Sequence, residues 1–332
     1  MRIKDIAEAA GVSTATVSRV LSGKQNVRPE VKSKVLEVVK RMNYSPNRAA
    51  RSLRSRKSST IGLIVADIQN PFFASVTRAV EDVAQASDYS VILCNTDENP
   101  DKERMYLELM QDENAAGIIL SPTGRLARHF PQELADLSPL VVIDRKIADV
   151  SVDCVVIDNF NAARILTQHM LEHGYKRIAG IFGANSITGK ERLAGFMAAL
   201  QGAGIAINDR YIIEIPAREF EGHTAATKLL DLENPPDAIL TSSGLLAAGT
   251  FKAIRDRELP VPNTIAFATF DESPWTTMIR PAITVIEQPT YAIGQTAAEM
   301  LLKRIADPNR PTRQVVLSSK LIIRQSCGCR KT

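Results

Sequence analysis

Thr14, Ala15, Ser18 and Arg19 share one side of a helical wheel, and their side chains could read base edges in a nucleic-acid groove. An arginine can bond guanine through two parallel hydrogen bonds, while threonine and alanine offer methyl groups to thymine. Ser13, Thr16, Ser18 and Asn26 are small polar side chains suited to phosphate oxygens, which set register rather than sequence. Arg19 is open to either role, base reader or phosphate contact. A second set appears much later, each member beyond a short apolar run: Asn70-Pro71-Phe72-Phe73, Ser121, Asp144-Arg145, Lys190 with Arg192, Asp271 through Trp275, and Gln288. Cations, carboxylates and ring faces in that mixture suit a small ligand rich in hydroxyl or acidic groups.

The first set needs a helix held against a neighbour. Ile3 to Leu21 reads as two short helices around a tight turn. Gly11 stops the first, because a left-handed backbone costs glycine little, and Ser13 caps the second. Val17, Val20 and Leu21 then face Ile6, Ala10 and Val12, and a third helix starts near Pro29 with Val31, Val35, Val38 and Met42 on one stripe. This is the pattern of a helix-turn-helix, whose second helix enters a DNA major groove. Charge agrees: residues 1–57 hold 14 Lys and Arg against 4 Asp and Glu, a net of +10, while the remaining residues carry a net of −6. Only the N-terminus is built for a polyanion.

The second set needs a cleft. Beyond an Arg/Ser/Lys-rich linker at 48–59, apolar runs alternate with helical patterns. Strands are predicted at Thr60–Ala66, Ser90–Asn95, Gly117–Leu120, Leu140–Asp144 and Asp153–Asp158, then at Arg177–Phe182, Tyr211–Ile215, Ala238–Thr241, Ile265–Phe270 and Ala282–Glu287. Near-continuous apolar runs of this length are parallel strands buried on both faces. Two sets of about five imply an all-α head of residues 1–57 plus an α/β body with two doubly wound parallel-sheet subdomains of periplasmic-binding-protein type. One subdomain takes residues 58–160 and 290–320, the other 161–289, with crossings near 160, 290 and 320. A late helix, Ile293–Ala306, and a final strand, Gln314–Ile322, are expected to return to the first.

Open α/β sheets bind ligands beyond the carboxyl ends of their strands. Phe72 and Phe73 either stack on a ring or staple a helix start. Thr188 and Glu191 have capping-box spacing, which predicts a helix from Gly189 with Lys190 and Arg192 in a first turn that disfavours cations. Leu193, Phe196 and Leu200 form its apolar stripe and leave Arg192 to reach the cleft, whereas Lys190 is as readily a solvated surface charge. Trp275 stacks on the ligand or packs beneath its loop. Arg145, Lys190 and Arg192 around one cleft would favour a sugar acid or sugar phosphate, with neutral pentoses and hexoses still open.

The run from Ile3 to Leu21, followed by Asn43-Tyr44-Ser45-Pro46-Asn47-Arg48-Ala49-Ala50-Arg51-Ser52-Leu53, resembles the head of the lactose-repressor (LacI/GalR) family of bacterial transcription factors, and the likeness extends over the whole chain. The resemblance implies a repressor of carbohydrate or sugar-acid catabolism genes, with a homodimer on a near-palindromic double-stranded operator. It implies base readout by Thr14, Ala15 and Arg19, and a hinge helix at about 48–56 that orders on the operator and pushes Leu53 into the minor groove. It also implies effector contacts from the Asn-Pro-Phe-Phe element, Asp144-Arg145, Arg192 of the Arg-Leu-Ala-Gly-Phe stretch and Asp271. Whether effector induces or corepresses is not implied. One departure stands out: Ser242-Ser243-Gly244-Leu245 replaces the polar pair that many members carry after that strand. Apart from the resemblance, Leu53 lies between Arg51 and Arg54 with too few apolar neighbours for a core, which suits a minor-groove wedge, the alternative being packing against the body. So short a helix is marginal alone.

No apolar run approaches the ~20 residues that span a bilayer, and no export signal precedes the first helix, so a cytoplasmic protein is expected. Cys94 and Cys154 read as reduced core thiols, and Cys327 and Cys329 as an exposed tail without a ligand role. His129, His169, His173 and His223 show no metal spacing; His169 and His173 lie four apart but without a third ligand, so no metal or cofactor is expected. A sugar-processing enzyme or a transport solute-binding protein could use the same α/β scaffold. Against the first, no Gly-x-Gly-x-x-Gly follows a strand and Thr188-Gly-Lys lacks the glycines of a phosphate loop. Against the second, a solute-binding protein would carry an export signal and no basic helix-turn-helix.

Overall fold

In the computed structural model, residues 3–21, 27–42, 58–124, 139–147, 150–184 and 186–328 are described. The chain divides into two units, Met1–Ser58 and Ser59–Thr332. The first contains α1 (Ile3–Ala10), α2 (Thr14–Leu21) and α3 (Pro29–Arg41). Gly11 takes a left-handed φ of 62° and turns the chain, with the Val12 amide donating back to the Ala7 carbonyl at 2.9 Å. Ile6, Ala10, Val17, Val20, Val35 and Val38 close the core from all three helices. Apolar spacing of three and four residues makes this packing possible, since each short helix is marginal without the others.

The larger unit holds two six-stranded sheets. The first is built from β1 (Thr60–Val65), β2 (Ser90–Asn95), β3 (Gly117–Leu120), β4 (Leu140–Ile143), β5 (Asp153–Ile157) and β11 (Gln314–Leu317), in the order β11-β5-β4-β3-β1-β2. The second is built from β6 (Ile178–Gly183), β7 (Ile212–Ile215), β8 (Ala238–Thr241), β9 (Ala266–Phe270), β10 (Thr284–Glu287) and β12 (Lys320–Ile322), in the order β12-β10-β9-β8-β6-β7. The two orders are the same topology written twice. Five strands of each half take corresponding places, so β4 matches β9 and β3 matches β8. Central strands are buried on both faces, as their unbroken apolar runs require.

Helices cover each face. On the first sheet, α4 (Pro71–Ala86) and α11 (Thr290–Ala306) pack on one side, and α5 (Pro100–Asp112) on the other. On the second, α6 (Asn159–Glu172) and α7 (Ile187–Gly202) oppose α8 (Glu219–Leu230) and α9 (Gly244–Asp256); a short α10 (Pro274–Met278) follows β9.

Two expectations change. The strand predicted over Gln314–Ile322 is two strands: β11 pairs in parallel with β5, and β12 pairs antiparallel with β10 in the other sheet. Ser318 and Ser319 break the apolar run, and there the chain passes from one sheet's edge to the other's. The helix predicted from Gly189 begins at Ile187, because Ser186 and not Thr188 caps it, its Oγ accepting from the Gly189 amide at 3.3 Å. Glu191 forms no capping box with Thr188; it accepts a hydrogen bond from Asn159 Nδ2 at 2.9 Å.

Candidate functional site

In the head, the Thr16 amide donates to Ser13 Oγ at 3.1 Å, and the two hydroxyls lie 2.9 Å apart. That cap fixes where α2 starts and therefore its phase. With Val17 and Val20 turned to the core, Ala15 and Arg19 are exposed and Thr14, Thr16 and Ser18 half-buried. The outer face thus presents a methyl group and a guanidinium one helical turn apart, the spacing that successive base steps of a major groove accommodate. Asn26, Arg51, Leu53 and Arg54 lie outside the described residues, as does the hinge helix.

In the body, a cleft of about 940 Å³ opens between the two sheets, lined at the carboxyl ends of their strands. Arg192 is the most telling group in it. Its Nε donates to Asn159 Oδ1 at 2.8 Å, its Nη1 donates to the Ser242 carbonyl at 2.6 Å, and its guanidinium carbon lies 4.1 Å from the centre of the Phe270 ring. It is buried with no carboxylate in contact among the described residues, and burial pulls its pKa below the ordinary arginine value although Asp271 and Asp144 pull the other way. Two glycines of α7 make this possible. A Cβ on Gly189 would lie 2.2 Å from the Gly183 carbonyl oxygen, and one on Gly195 would lie 2.1 Å from that of Phe160. Only glycine lets α7 approach β6 and α6 closely enough for Arg192 to meet Asn159.

Arg145 is differently placed. It is buried against Glu98, which binds both terminal nitrogens, and Nη1 also donates to the Pro122 carbonyl at 2.9 Å. Burial alone would lower its pKa, but the Glu98 pair and Asp144 outweigh that and hold it above its ordinary value. Its Nε lies 3.2 Å from Asp144 Oδ2 yet makes no well-directed hydrogen bond among the described residues. Burial raises the Asp144 pKa, with Arg145 and Arg192 opposing. Asp271 Oδ1 accepts from Gln288 Nε2 at 2.6 Å and Oδ2 from the Gly244 amide at 2.9 Å. Asp97, Glu98, Asp144 and Asp271 all take left-handed φ values of 53° to 72°, four of the seven non-glycine residues that do so among the described residues. Each such residue costs of order 1 kcal/mol, a burden that clusters at ligand sites.

Asn70, Phe72, Phe73, Arg145, Arg192, Asp271 and Gln288 therefore line one cleft, as the sequence led one to expect. Asn70 also caps α4, its side chain accepting from the Phe72 amide, and the two phenylalanine rings meet edge to face at 4.9 Å. Three expected residues do not line it. Lys190 is exposed outside the cleft, because two positions along a helix place it roughly 200° around the axis from Arg192. Ser121 is wholly buried behind the end of β3. Trp275 is half-buried beneath its loop, 6.0 Å from Phe251, against the core of the second subdomain. The tail is also not exposed: Cys327 is fully buried. Sequence reasoning passed over Asn159, Glu98, Asp97 and Arg218. Asn159 follows a predicted strand and was within reach of the strand-end rule, whereas Asp97 and Glu98 are placed by backbone turns that apolar patterning does not register.

Residues 2–47 match the family model "Bacterial regulatory proteins, lacI family", and residues 58–325 match "Periplasmic binding proteins and sugar binding domain of LacI family". The chain is 36% identical to catabolite control protein A of Priestia megaterium, over 98% of both chains. It is 35% identical to the ribose operon repressor of Halalkalibacterium halodurans, over 98% of this chain and 96% of that one. A solved structure of the transcriptional regulator CelR with cellobiose is 26% identical and superposes with a TM-score of 0.73, covering 98% of this chain and 99% of the other. The fold is also that of the lac repressor dimer bound to operator and the anti-inducer ONPF, with a TM-score of 0.87 at 22% identity over 98% and 99% of the chains.

Proposed function

The chain belongs to the lacI family of bacterial regulatory proteins, and on that premise we propose that it is an operator-binding repressor of sugar-utilisation genes whose DNA affinity is set by a neutral, polyhydroxylated effector. The observation that carries the effector reading is the charge of the cleft. Six carboxylates line it (Asp67, Asp97, Glu98, Asp144, Glu219 and Asp271) against three guanidinium groups, Arg145, Arg192 and Arg218. Arg145 is already matched by Glu98, and Lys190 lies outside, so an anionic ligand would meet more repulsion than attraction. A sugar ring instead donates hydroxyls to Asp144 and Asp271 and accepts from Arg192. The cellobiose held by CelR is a ligand of this kind.

Ala15 and Arg19, with Thr14, read base edges in the major groove, and Ser13, Thr16, Ser18 and Asn26 contact phosphates. Leu53, flanked by Arg51 and Arg54, wedges the minor groove. One head buries too little surface for tight specific binding, so two copies act on a near-palindromic operator.

A panel of neutral sugars, sugar acids and sugar phosphates, screened by thermal shift and then by gel shift with the operator at fixed salt, tests the reading. A neutral sugar is expected to stabilise the body and change operator affinity; a ligand at 100 times its dissociation constant stabilises by about 2.7 kcal/mol. A response confined to sugar acids or phosphates refutes the neutral effector. Operator binding that neither needs a dimer nor weakens in Leu53→Ala refutes the DNA reading.

A further inference from the structure

The buried tail gathers a set of metal ligands that the effector cleft does not use. His169 lies in the last turn of α6, His173 caps that helix, and Cys327 comes from the far end of the chain. His169 Nε2 lies 3.2 Å from Cys327 Sγ, and one ligand atom from each of the three residues lies within 4.8 Å of the other two. We propose that His169, His173 and Cys327 bind a borderline-soft divalent cation, of which zinc is the best match, as a structural site fastening the tail to α6.

The donor set selects the metal. Imidazole and thiolate together favour zinc over magnesium or calcium, which take oxygen ligands. Tetrahedral zinc with sulfur at 2.3 Å and nitrogen at about 2.0 Å needs ligand atoms about 3.3–3.6 Å apart. The His169–Cys327 pair, at 3.2 Å, is within a few tenths of an ångström of that separation, and His173 stands beside it on the exposed side. The surroundings match those of a ligating histidine. His173 Nδ1 lies 2.8 Å from the His169 carbonyl, which can only accept, so the proton sits on Nδ1 and Nε2 carries the lone pair. A backbone carbonyl holding one ring nitrogen while the other faces a metal is the common second-shell arrangement. Thr284 Oγ1 donates to Cys327 Sγ at 3.1 Å, and the thiol donates to the Arg324 carbonyl at 3.2 Å, a bond given up when the sulfur binds the cation. Loading the site transfers the thiol proton to solvent and places the sulfur on the cation.

The ligand geometry is also braced from behind. Ser326 Oγ accepts from the Thr284 amide at 2.8 Å and donates to the Phe267 carbonyl at 2.6 Å, while Tyr175 donates to the Cys327 carbonyl at 3.3 Å. The tail is thus held in place by bonds that do not involve the metal, which pre-organises Sγ beside α6. Cys329 follows two residues later and lies outside the described residues; the three described ligands define the site without it, with water at the fourth position on the exposed His173 side.

The test uses the full chain, stripped with a chelator and titrated with cobalt(II) and then zinc. One equivalent of cobalt is expected to bind with the intense visible bands of a four-coordinate centre and a sulfur-to-cobalt charge-transfer band, and zinc should displace it. Loss of an outer-shell partner costs about 10–100-fold in metal affinity, and loss of a ligand costs no less. His173→Ala, at an exposed position that leaves the fold intact, should therefore weaken binding at least about tenfold. Cys327→Ser should remove the charge-transfer band. A pale six-coordinate spectrum, less than one bound equivalent, or affinity unchanged in His173→Ala would each overturn the site.

Discussion

Arg192→Met separates a ligand contact from a structural strut, because the two roles predict opposite outcomes. The wild-type guanidinium makes two charge-assisted hydrogen bonds, to Asn159 and to the Ser242 carbonyl, and lies over Phe270. Hydrogen bonds from charged groups contribute about 1.5–3 kcal/mol each. Against them stands the cost of burying a cation with no carboxylate in contact among the described residues, itself several kcal/mol, the same burial that pulls the Arg192 pKa down. Methionine keeps much of the volume and the contact with the Phe270 ring. The two costs oppose, so the ligand-free body should change in stability by no more than about 2 kcal/mol. Effector affinity has no such compensation. Losing a buried charged donor to a sugar hydroxyl should cost about 2–4 kcal/mol, roughly 30- to 1000-fold in Kd. Thermal unfolding without ligand and calorimetry with the sugar found in the panel measure both quantities. A Kd within about threefold of wild type would remove Arg192 from the ligand site. A collapse of the ligand-free protein would make it a strut instead.

Gly195→Ala should push α7 away from the Phe160 carbonyl, cost about 1–3 kcal/mol in stability, and weaken effector binding by breaking the Arg192–Asn159 contact; unchanged unfolding and affinity would refute the close-approach account. Burial holds the Glu103 carboxyl above its ordinary value although Thr123 donates to it from both amide and hydroxyl. A carboxyl with a raised folded-state pKa gives its full stability below the unfolded value and loses it as pH rises through the folded value, so wild type should gain on Glu103→Gln in Tm between about pH 7 and about pH 4. A Tm difference that is flat across that range would show that the carboxyl is not perturbed. Ser13→Ala should cost the head about 0.5–2 kcal/mol and weaken operator binding by loosening the start of α2, measured by head-domain melting and gel shift; equal melting would show that Ser13 does not cap.

The sequence made the architecture legible because its central strands are unbroken apolar runs and its helices are not. The ten strands predicted before Gln314 all exist within a residue or two of their expected limits. Local signals failed where two neighbours offered the same chemistry. Ser186 and Thr188 are both capping residues, and the cap at Ser186 goes with the close approach of Gly189 to the Gly183 carbonyl, a packing contact that capping spacing alone does not register. Phase decided the rest: residues two apart on a helix face roughly opposite ways, so with Arg192 in the cleft Lys190 goes to solvent. The tail failed for a related reason. Arg-Gln-Ser-Cys-Gly-Cys is locally indistinguishable from a solvated end, and its burial depends on Thr284, Phe267, Tyr175 and His169, all at least 40 residues away.

On the proposed function, the repeated topology gives the cleft a way to act as a switch. The chain passes between the sheets after β5, after β10 and at Ser318–Ser319. The first passage carries Asn159, which holds Arg192, and the second carries Gln288, which holds Asp271. Two of the three connecting segments therefore end in side chains that orient the opposed donor and acceptor of the cleft. A ligand that bridges Arg192 and Asp271 pulls on both passages at once, and it can shift the angle between subdomains only by as much as it binds one angle better than another. Asn159→Asp separates this coupling from simple affinity. It keeps an acceptor for Arg192 Nε and adds a charge that pairs with the guanidinium, while replacing the donor to Glu191 with a second carboxylate that binds Arg192 harder still, so effector binding should weaken as Arg192 turns from the ligand. Operator affinity without effector should also move, because the first passage is altered. Weaker effector binding with ligand-free operator affinity unchanged would place Asn159 in the binding site alone and refute its part in the switch.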